Sequence, residues 1–532
     1  MASRRSTLPA AVGALLDPAL HGCDPASIAL RETHVSWVVL AGERAFKVKK
    51  PVRLPFLDQS TLSRRRAACE AEVALNRELA PDLYLGVRGL APAGGGGRLR
   101  LVAGDAPAAV EFAVEMRRFD EQGTLAGLAA RGRLGPDQLR AVARRLVAFH
   151  AAAPVAADAP ADPAAAAAAA LRLLQRNADE LIEQLGDDDG GLGARARRAV
   201  VEQLRAATAF AAGDAALLAA RAAGGHVREL HGDLRAEHVL PGPPVTIVDR
   251  LEFNREWRQI DVADELAFLA MDLTACAGAE AAQTLLDAYG AAGGDLGDAR
   301  LVPFYAVYRA HVRAKVALLR AAQAANEAAA ADARAQAQGL LDVAERFAWQ
   351  LRLPRLLVVC GPSASGKSRL AAELARRSGR PVVSSDVVRK RLVGVEPTAR
   401  AGDAAYAPAL SARTYAALAH AALAAGAGGA IVDATFRSRA DREAFGAQLG
   451  EAADAAVYVE LTAPAAILRE RAARRLADPG RVSDATPEIA LAQAAAFEPL
   501  AEIPPERHQL LRSDRSPERV AAALAAALDD VG

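Results

Sequence analysis

One eight-residue stretch, Gly361-Pro362-Ser363-Ala364-Ser365-Gly366-Lys367-Ser368, constrains the fold of this chain more than any other. It follows the apolar run Leu356–Cys360 and precedes the helix-forming residues 369–374. Strand, G-x-x-x-x-G-K-S loop and helix, in that order, make a phosphate-binding P-loop. The glycines let successive backbone N–H groups turn toward an anion, Lys367 reaches the β- and γ-phosphates, and Ser368 is placed to hold Mg²⁺. The segment is therefore expected to bind a nucleoside triphosphate. Strand and helix alternate from there to the end, as an open parallel sheet requires.

Of the 65 basic residues only six are lysines: Lys47, Lys49, Lys50, Lys315, Lys367 and Lys390. Arg cannot replace a compact ammonium in a tight phosphate site, so lysines kept in an Arg-rich chain mark positions to read closely. One is the P-loop lysine, and three fall together at 47–50. At 532 residues the chain holds two or three domains. A net charge of +1 argues against a dedicated nucleic-acid or polybasic membrane surface. Cys23, Cys69, Cys276 and Cys360 show no C-x-x-C spacing, so neither a zinc site nor a disulfide framework is expected. No apolar run reaches the ~20 residues that span a bilayer. Arg4-Arg5 ahead of residues 8–16 has the outline of an export signal, but Asp17 and Pro18 interrupt it, and a cytosolic location is expected.

Residues 28–50 read as strands. Positions 35–40 are β-rich, 41–44 supply turn chemistry, and 45–50 alternate with period two, so Lys47 and Lys49 share one face and Lys50 takes the other. Helices are expected over 61–80 and 136–150, with a loop at 94–97 between strands. The Ala/Pro-rich residues 151–170 read as a loose or partly helical connection, and helices follow through 171–222 and 262–350. Between them lie His231-Gly232-Asp233-Leu234, His238 and a hydrophobic strand ending in Asp249.

This H-G-D-L segment and its strand resemble the catalytic segment of the aminoglycoside phosphotransferases, relatives of protein kinases. On that likeness Asp233 accepts the proton of an attacking hydroxyl and Asp249 binds Mg²⁺. Lys47 then falls where a kinase-like fold carries its phosphate-pairing lysine, with Lys49 as second choice. Glu72 is its better-spaced acidic partner than Glu70, and residues 115–119 form the hinge that meets adenine. The family's second metal ligand is Asn, whereas position 238 is His, a ligand better suited to softer ions. Nearly the whole chain resembles the bacterial bifunctional aminoglycoside phosphotransferase/ATP-binding proteins. Further matching pieces are residues 32–37, 116–119, 249–254 and 271–273.

In the second half, the strand beginning at Val382 leads to Asp386. P-loop kinases place an acceptor-hydroxyl base at such a strand end, with Arg389 and Lys390 as anion contacts; a helix N-cap is the other role open to Asp386. A third strand ends at Asp433, a carboxylate that acts on Mg²⁺ through water. No Glu follows it, which favours transfer to an acceptor over a motor. Arg471 and Arg475 share one face of a helix, as lid arginines that meet the transferring phosphate would, and residues 478–484 would form the lid tip.

The expected fold is an α+β protein-kinase-like domain at 1–352 followed by an α/β P-loop kinase domain with a parallel sheet at 353–532. The expected activity is transfer of the γ-phosphate of ATP, with Mg²⁺, to a hydroxyl of a small molecule. Two other readings stay open: a first domain that senses a ligand without turnover and gates the P-loop kinase, and a polynucleotide-end kinase.

Overall fold

The computed structural model describes residues 8–54, 57–94, 98–186, 192–396, 398–399, 402, 407–477 and 485–531. These fall into two compact units, Met1–Ala161 with Ala219–Gly297, and Asp162–Leu218 with Asp298–Gly532. Among the described residues no helix is long and apolar enough to cross a membrane.

The first unit opens with an antiparallel sheet of β1 (Ala29–Glu32), β2 (Ser36–Ala41), β3 (Arg44–Lys49), β4 (Tyr84–Pro92), β5 (Leu99–Ala103) and β6 (Glu111–Arg117), in the order β1-β2-β3-β6-β4-β5. Gly42, at φ +56°, makes the tight turn between β2 and β3, where a side chain would be strained. Period two then sorts β3: Phe46 and Val48 enter an apolar cluster with Val39, Leu90 and Ala113, while Lys47 and Lys49 face the other way. That second face meets helix α1 (Leu62–Asn76), N-capped by Thr61.

The helical part of this unit is organised around α2 (Val262–Ala277), whose residues 262–271 are all buried. A helix buried on every side belongs in a core. Two short strands, β7 (Val227–Glu229) and β8 (Gln259–Asp261), pair antiparallel just ahead of it. They clasp residues 230–258, within which Val239–Leu240 pairs with Thr246–Ile247. The nested pairing brings the His231–Asp233 turn beside Asp249-Arg250, as the hydrogen bond from Leu251 N–H to the His231 carbonyl (3.1 Å) records.

The second unit contains a parallel sheet of β9 (Leu356–Cys360), β10 (Val382–Ser384), β11 (Ala430–Asp433), β12 (Ala456–Thr462) and β13 (His508–Arg512), in the order β10-β11-β9-β12-β13. Central strand β9 is buried throughout: Leu356, Val358 and Cys360 enter one core cluster, Leu357 and Val359 the cluster on the opposite face. Helices on both faces explain why it reads as an unbroken apolar run.

A linear cut at 352/353 does not follow this packing. Helices Pro163–Leu185, Leu192–Gly213, Leu301–Ala322 and Glu327–Arg352 group with the P-loop sheet. The first of these begins at Pro163 behind an Asp162 cap, inside the stretch read as a loose connection. Trp349 and Leu353 lie in one apolar cluster with Leu357, Val359, Leu370 and Leu374, and Arg352 pairs with Asp529 at 2.8 Å. Arg380 donates to the carbonyls of Gln350 (2.9 Å) and Leu353 (2.8 Å), satisfying the C-terminal end of the long helix. Trp349 is therefore core of the P-loop unit. Trp349→Ala should lower that unit's stability by about 3–5 kcal/mol, the usual cost of emptying an aromatic site. Chemical denaturation of the full chain checks this, and an unchanged unfolding midpoint would contradict it.

Candidate functional site

Sterics explain the glycines of the 361–368 loop. Gly361 sits at φ +131°, and a Cβ there would lie 2.4 Å from the Leu461 carbonyl oxygen. Gly366, at φ +97°, starts helix α3 (Lys367–Ser378), whose free N–H groups and dipole favour an anion. Ala364 holds a left-handed φ of +65°, a strain that a side chain accepts only where the surroundings enforce it. The Lys367 ammonium donates to the Pro362 carbonyl at 2.9 Å, and Ser368 Oγ donates to Asp433 Oδ2 at 2.7 Å. Ser365 Oγ is buried and unpartnered, a polar atom left over inside the cradle. An oxygen-only Ser/Asp pair beside such a cradle suits hard Mg²⁺ and a triphosphate.

Charge concentrates at this loop. Burial pushes the Lys367 pKa below its ordinary value, against the opposing pull of Asp433 and Asp386, and Arg475 adds to the depression. Burial likewise raises Asp433 above the usual carboxylate range, with Lys367 and the Ser368 hydrogen bond opposing and Asp386 contributing. Lys367, Asp386, Asp433 and Arg475 thus share one electrostatic neighbourhood. Asp386 lies in the first turn of α4 (Ser385–Leu392), not at a strand end, because β10 stops at Ser384, which occupies the N-cap position. Arg389 and Lys390 are both buried on α4, and Arg389 donates to Ser411 Oγ at 3.2 Å.

The two arginines of α5 (Ala465–Leu476) have different surroundings. Arg471 donates to the Ser513 carbonyl at 2.5 Å and flanks the loop at Gly366. Arg475 reaches the Ala485 carbonyl at 3.4 Å and acts on Lys367 and Asp433. The lid tip expected at 478–484 lies outside the described residues.

In the first unit the lysines of β3 meet the acids expected and one more. Lys47 Nζ lies 2.9 Å from Glu72 and 2.6 Å from Asp249. Lys49, 1% exposed, pairs with Glu72 and with Glu252. Burial disfavours the Lys47 ammonium, yet Asp249, Glu72 and Glu252 hold its pKa well above the ordinary value. Burial opposes the charge of Asp249 in the same way, and Lys47 beside it holds its carboxyl well below the usual range. Its backbone is left-handed, φ +65°, steadied by the hydrogen bond from its N–H to Tyr84 Oη (3.1 Å). Glu70 is exposed and pairs with Arg66.

The H-G-D turn is fixed by a residue the sequence reading gave no role. Glu265 on α2 accepts from the N–H groups of His231 (2.8 Å) and Gly232 (2.9 Å), and its other oxygen meets His150 at 3.2 Å. Burial brings His231 down to about 4, so it is neutral: Nε2–H donates to the Val248 carbonyl (2.9 Å) and Nδ1 accepts from Asp233 N–H (3.2 Å). His238 Nδ1 donates to the Asp233 carbonyl at 2.9 Å. That leaves Nε2 to accept from Arg235 at 2.9 Å, 3.7 Å from Asp249 Oδ2. Arg235 also donates to Asp233 Oδ2 at 3.1 Å. Asp261 caps α2 and pairs with Arg221 at 2.7 Å. Among the described residues no three His, Cys, Asp or Glu side chains converge as a metal cluster. Mg²⁺ held by one or two carboxylates and substrate phosphates needs none.

Residues 356–500 match the AAA domain family AAA_33. The chain is 35% identical over 371 residues to Uncharacterized protein Rv2004c of Mycobacterium tuberculosis (H37Rv), covering 69% of this chain and 69% of the relative. Uncharacterized protein Mb2027c of Mycobacterium bovis matches to the same extent. The chain belongs to the family of these mycobacterial proteins. Solved structures similar to this family member include a gluconokinase from Sinorhizobium meliloti (TM-score 0.25, 20% identity, 34% of this chain and 93% of that one). A choline/ethanolamine kinase family protein from Mesorhizobium loti is another (TM-score 0.33, 16% identity, 59% of this chain and 87% of that one).

In this member of the mycobacterial family, Asp433 supplies the test of the P-loop site. Its folded pKa lies above that of an unfolded carboxylate, so its charge costs stability at neutral pH. The cost is absent below the ordinary value of about 4 and sets in as pH rises through the raised one. Asp433→Asn should therefore raise the melting temperature of the nucleotide-free chain at pH 7 by about 2–4 °C, the effect of ~1 kcal/mol in a unit of roughly this size. The gain should shrink toward pH 4. Scanning calorimetry at the two pH values checks this, and a lower melting temperature at pH 7 would contradict it.

Proposed function

We propose that the chain is an ATP-dependent phosphotransferase whose P-loop unit moves the γ-phosphate to a hydroxyl of a small molecule. The observation that carries this reading is the Ser368–Asp433 hydrogen bond at 2.7 Å, beside a lysine that burial leaves short of negative charge. Mg²⁺ held by Ser368 and Asp433 would supply charge neutralisation at the β- and γ-phosphates. Lys367 and Arg475 add cationic stabilisation where charge develops. Asp386 takes the acceptor's proton as the acceptor oxygen bonds to the γ-phosphorus; the bond from phosphorus to the bridging oxygen breaks and ADP leaves.

The first unit, on this proposal, is a second kinase-like nucleotide site, as in bifunctional aminoglycoside phosphotransferase/ATP-binding proteins. Lys47 and Glu72 would serve the phosphates, Asp249 would hold the metal, joined by His238 once Arg235 gives up Nε2, and Asp233 would be the base. Its acceptor need not be an antibiotic, because function resides in the site and not in the fold. Ligand sensing without turnover is the second reading. It draws support from Arg235, whose guanidinium lies on both the Asp233 carboxylate and His238 Nε2.

Labelled ATP offered to the full chain with hydroxylated metabolites, aminoglycosides and nucleic-acid ends identifies the acceptor. With it in hand, Asp386→Asn should cut transfer by about 10²–10⁴ and spare ATP binding. Transfer at the native rate in that variant would contradict the role of Asp386.

A further inference from the structure

The peptide joining Pro362 to Ser363 is held from both edges. Its carbonyl accepts from Lys367 Nζ at 2.9 Å, and its N–H donates to Gln493 Oε1 at 3.0 Å. In a trans peptide the C=O and N–H point in opposite directions from one rigid plane. The Lys367 ammonium therefore sits at one edge of that plane and the Gln493 amide at the other. A turn of the plane that releases Gln493 also turns the carbonyl away from Lys367.

Gln493 belongs to the helix Pro487–Ala495, which packs against α5, the helix carrying Arg471 and Arg475. Beyond it the chain is firmly anchored. Buried Arg442 donates to the carbonyls of Glu498 (3.2 Å) and Pro499 (3.0 Å), and Glu498 Oε2 accepts from Arg439 N–H at 2.6 Å. The other end of the loop has its own hold, since Ser513 Oγ donates to the Ser365 carbonyl. Gln493 is thus the side chain through which the 487–495 helix grips the leading half of the loop.

We propose that Gln493 is a positioning residue that acts through the Pro362–Ser363 peptide to fix the Lys367 ammonium at the nucleotide site. Hydrogen bonds in such a chain reinforce one another, so the amide strengthens the carbonyl as an acceptor as well as aiming it. This inference rests on the reading of 361–368 as a triphosphate site.

The test uses the full chain and the ATP binding that Lys367→Ala removes. Gln493→Met keeps length and packing but has no acceptor for the N–H, and Gln493→Ala guards against a misfolded Met variant. Both should weaken that binding about three- to tenfold, the worth of one hydrogen bond. AMP binding should stay at the native level in both, because Lys367 meets the β- and γ-phosphates that AMP lacks. The melting temperature of the free protein should fall by no more than about 2–4 °C, the share of one hydrogen bond. Native affinity in both variants, or an equal loss of AMP and ATP binding, would overturn the proposal alone. ATP binding untouched by Lys367→Ala would overturn the underlying nucleotide reading instead.

Discussion

An ammonium buried away from water needs negative charge beside it, and its environment must supply that charge or leave room for it. The two units meet this need differently. In the first, Lys47 and Lys49 share Glu72 and are completed by Asp249 and Glu252, so the protein's own acids hold Lys47 well above its ordinary pKa. In the second, Asp433 and Asp386 do not offset the burial of Lys367, whose pKa is lowered. A triphosphate would supply what Lys367 lacks. The same ligand at Lys47 would have to compete with carboxylates already in place. That contrast makes the P-loop the stronger candidate for turnover.

The rest of each unit serves to hold those charges in register. In the first, Asn76 bonds the backbone of Arg250 through both ends of its amide (2.8 and 3.3 Å), tying α1 and hence Glu72 to the segment that carries Asp249. Glu265 does the same for the H-G-D turn from α2. In the second, β9 delivers the loop and β11 delivers Asp433 as parallel neighbours, with Val359 opposite Asp433. Trp349 and Arg380 extend that framework into the long helix Glu327–Arg352.

Features written in consecutive residues were legible from the sequence: the loop at 361–368, the alternation that puts Lys47 and Lys49 on one face, and the strand ending at Asp433. Features set by distant partners were not. Glu252 reaches Lys49 across 203 positions, and Gln493 reaches Ser363 across 130. Neither acid nor amide carries a local mark. Glu265 lies one position from Asp264, and only the geometry of the H-G-D turn distinguishes them. The discontinuous units were hidden for a related reason. An Ala-rich amphipathic helix shows which face it buries but not which sheet buries it.

The most direct test of this account is the number of nucleotides bound per chain, measured by equilibrium dialysis with a non-hydrolysable ATP analogue and Mg²⁺. The account predicts two sites of unequal affinity, the tighter lost in Lys367→Ala and the weaker in Lys47→Ala. A single site removed by Lys47→Ala and untouched by Lys367→Ala would contradict it.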